Sequence, residues 1–190
     1  MAWYIGAAVM VGAIAFLLLP TLRSETSSPS DLPPAAADAQ AGAGTPPPLS
    51  SNMRENADRL FNRVMQANQA GDTAEVKRFS PMAIMAYQNA GPLDSDGLYH
   101  LSVLQMAAGD VASARASADQ ILATNPTHLL GLSAAATAAR SQNDTSAARG
   151  YYQRFLNSFA AERAKALPEY QDHQALLPGL HTEASEFVKK

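Results

Sequence analysis

From Asn52 onward, apolar positions recur at helical spacing, and turn residues punctuate them at regular intervals. In NMRENADRLFNRVMQANQAGD, Asn52 offers an N-cap with Glu55 three residues later, Leu60, Phe61, Val64 and Met65 form one stripe, and Gly71 supplies a stop. A second helix is expected from Asp72, with Glu75 completing a capping box, toward Asn89; Pro81 requires a kink or break inside it. Further helices are expected after Asp94, after Gly109-Asp110, after Asn125-Pro126 and after Asn143-Asp144, and a last amphipathic helix over about 169–188. No alternating pattern of useful length predicts a strand. The expected class is all-α.

The amino-terminal segment has a different pattern. MAWYIGAAVMVGAIAFLLLP contains no charged side chain, and as a helix such a run spans about 30 Å, the thickness of a bilayer's hydrocarbon layer. A single transmembrane anchor is therefore expected over 1–23. Trp3 and Tyr4 stand at one interface, Arg23 at the other, and Ala8 and Gly12 make a small-xxx-small pair. A cleaved signal peptide is the competing reading, but a basic start and a small-x-small site before TLRSETSS are both missing. Arg23 places the following domain in the cytoplasm by the positive-inside rule, with the periplasm as the alternative. Residues 24–50 are rich in Pro, Ala, Ser and Gly and have almost no large apolar side chains, so they read as a tether of about 30 Å if flexible.

The turns recur with a period. Gly109-Asp110 and Asn143-Asp144 are 34 residues apart, as are Leu98 and Leu132, Ala114 and Ala148, and Leu122 and Leu156. SDGLYHLSVLQMAAGDVASARASADQILATNPTH resembles one tetratricopeptide (TPR) unit along its whole length. Leu98 stands at the usual tryptophan place, Leu101 at the leucine, Gly109-Asp110 at the interhelix turn, Ala114 at the close-packing alanine, and Pro126 closes the unit.

Unit 129–162 keeps Leu132, Ala136, Ala148, Tyr152 and Phe155 at matching places but lacks the closing proline. Unit 57–90 matches less well, with Val76 in place of the small alanine, Pro81 in its second helix, and GPLD inserted after it. The likeness covers about 110 of the 190 residues. It implies a TPR-like helical domain over 51–190: a short α-solenoid of units 57–90, 95–128 and 129–162, closed by the capping helix.

The resemblance also implies a groove lined by the first helix of each pair. Carried across by register, its lining is Phe61, Met65 and Asn68, then Tyr99, Val103 and Met106, then Ser133, Thr137 and Arg140. Aromatic and methionine side chains suit adaptable apolar recognition of a protein partner. The alternative is that Phe61 and Tyr99 complete the core between helices. Chaperone-binding members of the family clamp a terminal carboxylate with Lys and Asn; Phe61, Met65 and Tyr99 stand at those places, which argues against such a clamp.

Charge and chemistry narrow the function. A net charge of -3 with 16% charged residues offers no basic surface for nucleic acid. Cysteine is absent, which removes disulfides and thiolate sites. His100, His128, His173 and His181 show no i, i+4 pairing with one another and no zinc-type motif, and there is no phosphate loop or nucleophile elbow. No catalytic residue, metal, cofactor or small-molecule substrate is expected.

The resulting expectation is a non-catalytic interaction module in a bacterial inner membrane, contacting the lipid bilayer and protein partners that include other membrane subunits. It serves as an accessory, stabilising subunit of a larger complex; a respiratory or photosynthetic electron-transfer assembly is one setting. The alternative is a transient assembly factor or chaperone. LLLPTLR followed by these units resembles the TPR proteins of c-type cytochrome maturation, although that family has a second span before a periplasmic domain.

Overall fold

The computed structural model describes residues 52–190, and among them all regular structure is helical. Eight helices follow in order: α1 Met53–Gln69, α2 Thr73–Asn89, α3 Ser95–Ala107, α4 Val111–Thr124, α5 Leu129–Ser141, α6 Thr145–Ala164, α7 Pro168–Asp172 and α8 Leu177–Lys189. The expected anchor with Trp3, Tyr4, Ala8, Gly12 and Arg23, and the linker after it, lie outside the described residues. Among the described residues, no helix is long and apolar enough to cross a membrane.

Helices α1 to α6 form three antiparallel pairs, each closed by the same local chemistry. Gly71, Gly109 and Asn143 take positive φ of 72°, 83° and 61°. This lets the amides of Asp72, Asp110 and Asp144 reach back to the carbonyls of Ala67, Gln105 and Ala139, each at 2.9 Å. Each aspartate then turns its carboxylate forward as an N-cap, accepting from the amides of Glu75, Ser113 and Ala147. Asparagine replaces glycine in the third turn because its short polar side chain tolerates the left-handed region. The 34-residue spacing carries into the helices: α3 and α5 begin that far apart, and so do α4 and α6.

Packing within and between the pairs depends on small residues. Ala114 and Ala148 are fully buried, and Ser102 Oγ of α3 donates to the Ala114 carbonyl at 2.8 Å across the helix crossing. Gly131 lets α5 approach α4, since a Cβ there would stand 2.9 Å from Ile121 Cγ2. One apolar cluster joins α1, α2 and α3 through Phe61, Val64, Phe79, Tyr87 and Leu104, and a second joins α3 to α8 around Leu129, Leu132, Tyr152 and Phe155. In α5, ten of thirteen residues are buried, so LLGLSAAATAA is apolar nearly all round because neighbours cover it nearly all round.

Two expectations change. Of the kink or break expected at Pro81, the break does not occur: α2 runs continuously through it. The proline removes the amide that would bond the Lys77 carbonyl; Lys77 is exposed, so water can satisfy that oxygen. The single capping helix expected over 169–188 is two pieces, α7 and α8. Pro178 sits in the first turn of α8, where its missing amide costs nothing, and α7 starts on Pro168.

The C-terminal segment covers more than the end of the stack. Helix α8 packs on α6 through Ala184 and Phe187, whose ring lies 5.0 Å from that of Tyr152. Tyr170 of α7 accepts from the Leu129 amide at 2.9 Å and donates to Glu162 at 3.0 Å, while Glu169 meets His128 Nε2 at 3.0 Å. His128 is itself the N-cap of α5, its Nδ1 receiving the Gly131 amide.

Candidate functional site

The nine groove candidates divide by burial. Phe61, Tyr99 and Ser133 are buried, while Met65, Val103, Met106 and Thr137 are half-buried and Asn68 and Arg140 are exposed. Phe61 stacks on His100 with centroids 3.9 Å apart, and Tyr99 meets the His173 ring edge-on at 5.1 Å. Arg140 reaches the Tyr152 hydroxyl at 3.1 Å and pairs with Glu183 of α8. These three side chains are therefore engaged within the chain. Met65, Asn68, Val103, Met106 and Thr137 are the candidates with surface left to offer.

Beside Phe61 lies a polar cluster built from α1, α2, α3 and the turn after α7. Arg54, in the first turn of α1, bridges three carboxylates: Nε to Asp58 at 3.0 Å, Nη1 to Asp94 at 3.0 Å and Nη2 to Asp96 Oδ2 at 2.8 Å. The glycine at position 97 makes room for it, because a Cβ there would collide with the guanidinium. Burial works against the charge of Arg54, but its hydrogen bonds to Asp94 and Asp58 outweigh this and hold it above its ordinary value.

On the other side of Asp96 stand two histidines from distant parts of the chain. His173 Nε2 lies 2.9 Å from Asp96 Oδ1 and 3.2 Å from His100 Nε2, and His100 Nε2 lies 3.6 Å from the same carboxylate oxygen. One ligand atom from each of Asp96, His100 and His173 thus meets the others at one point. Burial pushes Asp96 up, yet the hydrogen bond to His173 and the neighbouring positive charge bring it below its usual value.

A relay behind His100 fixes its protons. Tyr87, fully buried, donates its hydroxyl to Asp58 Oδ1 at 2.5 Å and meets His100 Nδ1 at 2.8 Å. The carboxylate can only accept, so the single phenol proton goes to Asp58 and His100 must donate from Nδ1. Nε2 of the neutral ring is then a lone pair facing His173. Burial lowers His100 below its ordinary value against the pull of Asp96, and burial with the Asp58 hydrogen bond raises Tyr87 well above the tyrosine range.

No family model matches the chain, and no curated protein matches it. The arrangement must be judged on its own chemistry.

The histidines do not pair with one another along the chain; the local pair is a histidine with a carboxylate. Asp96 and His100 stand at i, i+4 on α3, a spacing that puts a carboxylate and an imidazole on one helix face. No local signal could bring in His173, which is 73 residues further on and arrives through the α7 fold-back.

Proposed function

We propose that this chain is a membrane-anchored, non-catalytic interaction protein whose TPR-like helical domain holds a protein partner. The reading rests on one observation above others: three helix pairs closed by the same positive-φ turn and aspartate cap, two of them in 34-residue register. Repetition of a helix pair creates a continuous inner face without building a catalytic constellation, and such faces serve extended peptides or helices. Met65, Val103 and Met106 give this face adaptable apolar contacts, with Asn68 and Thr137 as its polar edge.

The anchor over 1–23 and the tether over 24–50 make it an accessory, stabilising subunit of a larger complex in a bacterial inner membrane, with an electron-transfer assembly as one setting. A lone Arg23 favours the cytoplasmic side for the domain. Gentle detergent extraction followed by native sizing tests the reading. A constant stoichiometry with a large membrane assembly supports a permanent subunit. A mostly free monomer refutes it and leaves the transient assembly factor as the better description.

A further inference from the structure

We propose that Asp96 Oδ1, His100 Nε2 and His173 Nε2 form a binding site for one divalent metal ion of the zinc class, which clamps the C-terminal segment onto α3. The inference stands apart from the partner-binding role and rests on four features of the cluster.

The first is spacing. The three atoms are separated by 2.9, 3.2 and 3.6 Å. Ligands at about 2.0–2.1 Å from a tetrahedral zinc ion stand about 3.3 Å from one another. The triangle already has the size of one face of that tetrahedron. Two imidazoles and a carboxylate are also a donor set that zinc accepts.

The second is proton placement. Because the Asp58–Tyr87 relay holds the His100 proton on Nδ1, only His173 Nε2 brings a proton to the meeting point, and two acceptors surround it. A metal ion takes the place of that proton, and His173 carries its own on Nδ1 instead. The same relay is the outer support that metal-bound histidines generally have, while Arg54 holds Asp96 Oδ2 and so turns Oδ1 toward the histidines.

The third is charge. Asp58, Asp94 and Asp96 surround a single guanidinium, so the ionised groups of the cluster carry two negative charges in excess. A dication compensates them. The fourth is access: the side chains of Asp96, His100 and His173 are 22%, 12% and 17% exposed, so the cluster is not sealed from solvent. A fourth ligand would be water or a group from a bound partner.

The consequence for the fold follows from where the ligands sit. Asp96 and His100 belong to one helix and His173 to the turn between α7 and α8, so the ion closes a 73-residue loop. Binding to the folded state alone raises stability by mass action.

The test uses the full chain in mild detergent, stripped with a chelator and titrated with zinc chloride by calorimetry. One equivalent is expected to bind, with a rise in Tm. His173→Ala and Asp96→Asn should each weaken binding by more than about tenfold, and Tyr87→Phe by about 10–100-fold, the range for lost outer support. His181→Ala, which lies outside the cluster, should leave it unchanged. Where a ligand variant fails to fold, the cobalt form of the unaltered chain decides: visible bands of tetrahedral cobalt support the site. Absence of those bands, no zinc binding, or an affinity unchanged in both ligand variants overturns it.

Discussion

Glu162, near the end of α6, is 2% exposed, and four donors converge on it. Lys165 Nζ approaches to 2.6 Å, the Tyr170 hydroxyl to 3.0 Å and Asn125 Nδ2 to 3.4 Å, and the Thr127 hydroxyl completes the set. The carboxylate therefore ties three segments together: α6 itself, the α4–α5 connection and α7. Burial pushes its pKa up, but the hydrogen bonds from Lys165, Thr127, Tyr170 and Asn125 outweigh burial and leave it below the ordinary 4.5.

Glu162→Gln keeps the shape and removes the charge, turning an amide NH2 toward groups that themselves donate. Hydrogen bonds to a charged acceptor contribute about 1.5–3 kcal/mol each and do not add simply. Lys165 is half exposed, so its share is small after screening. The loss should be about 2–3 kcal/mol at neutral pH, dominated by Tyr170 and Thr127. The sign with pH follows from the depressed folded value: this stabilisation is fully present above 4.5 and disappears as pH falls through the folded pKa. Urea unfolding of both proteins across that range checks it. A difference below about 0.5 kcal/mol at neutral pH, the size of an ordinary surface change, would refute the reasoning, as would a difference that persists undiminished into acid.

Two further substitutions probe the packing. Gly131→Ala drives a methyl against the branched Ile121 side chain and should cost about 1–3 kcal/mol by chemical denaturation; an unchanged midpoint would mean that α4 and α5 can separate freely. Pro81→Ala restores an amide to the Lys77 carbonyl, and the net helix-interior penalty of proline relative to alanine predicts a gain of up to about 3 kcal/mol in thermal unfolding. A loss there would show that the ring itself packs usefully.

What could be read from the chain follows the range of the interactions. The turns at Gly71-Asp72, Gly109-Asp110 and Asn143-Asp144 are local, fixed by residues that touch one another, and the helix boundaries around them were legible. A break at Pro81 depends on whether the Lys77 carbonyl can reach water, which only the packed helix decides. The amphipathic pattern of the capping segment runs on across the break between α7 and α8, which Pro178 in the first turn of α8 marks locally. The polar cluster depends on the fold-back that carries His173 to His100; its local signals are the i, i+4 pairs Arg54–Asp58 on α1 and Asp96–His100 on α3.

In the proposed role, the inner face of the helix pairs holds a protein partner of the membrane-anchored chain. Site-specific photo-crosslinking in native membranes addresses it directly, with the reactive side chain placed at Asn68 or Thr137 on the first helices and at exposed Gln120 on α4 as the control. One discrete adduct, of the same mass increment, is expected from Asn68 and Thr137 and none from Gln120. Equal labelling from all three, or an adduct from Gln120 alone, would contradict it.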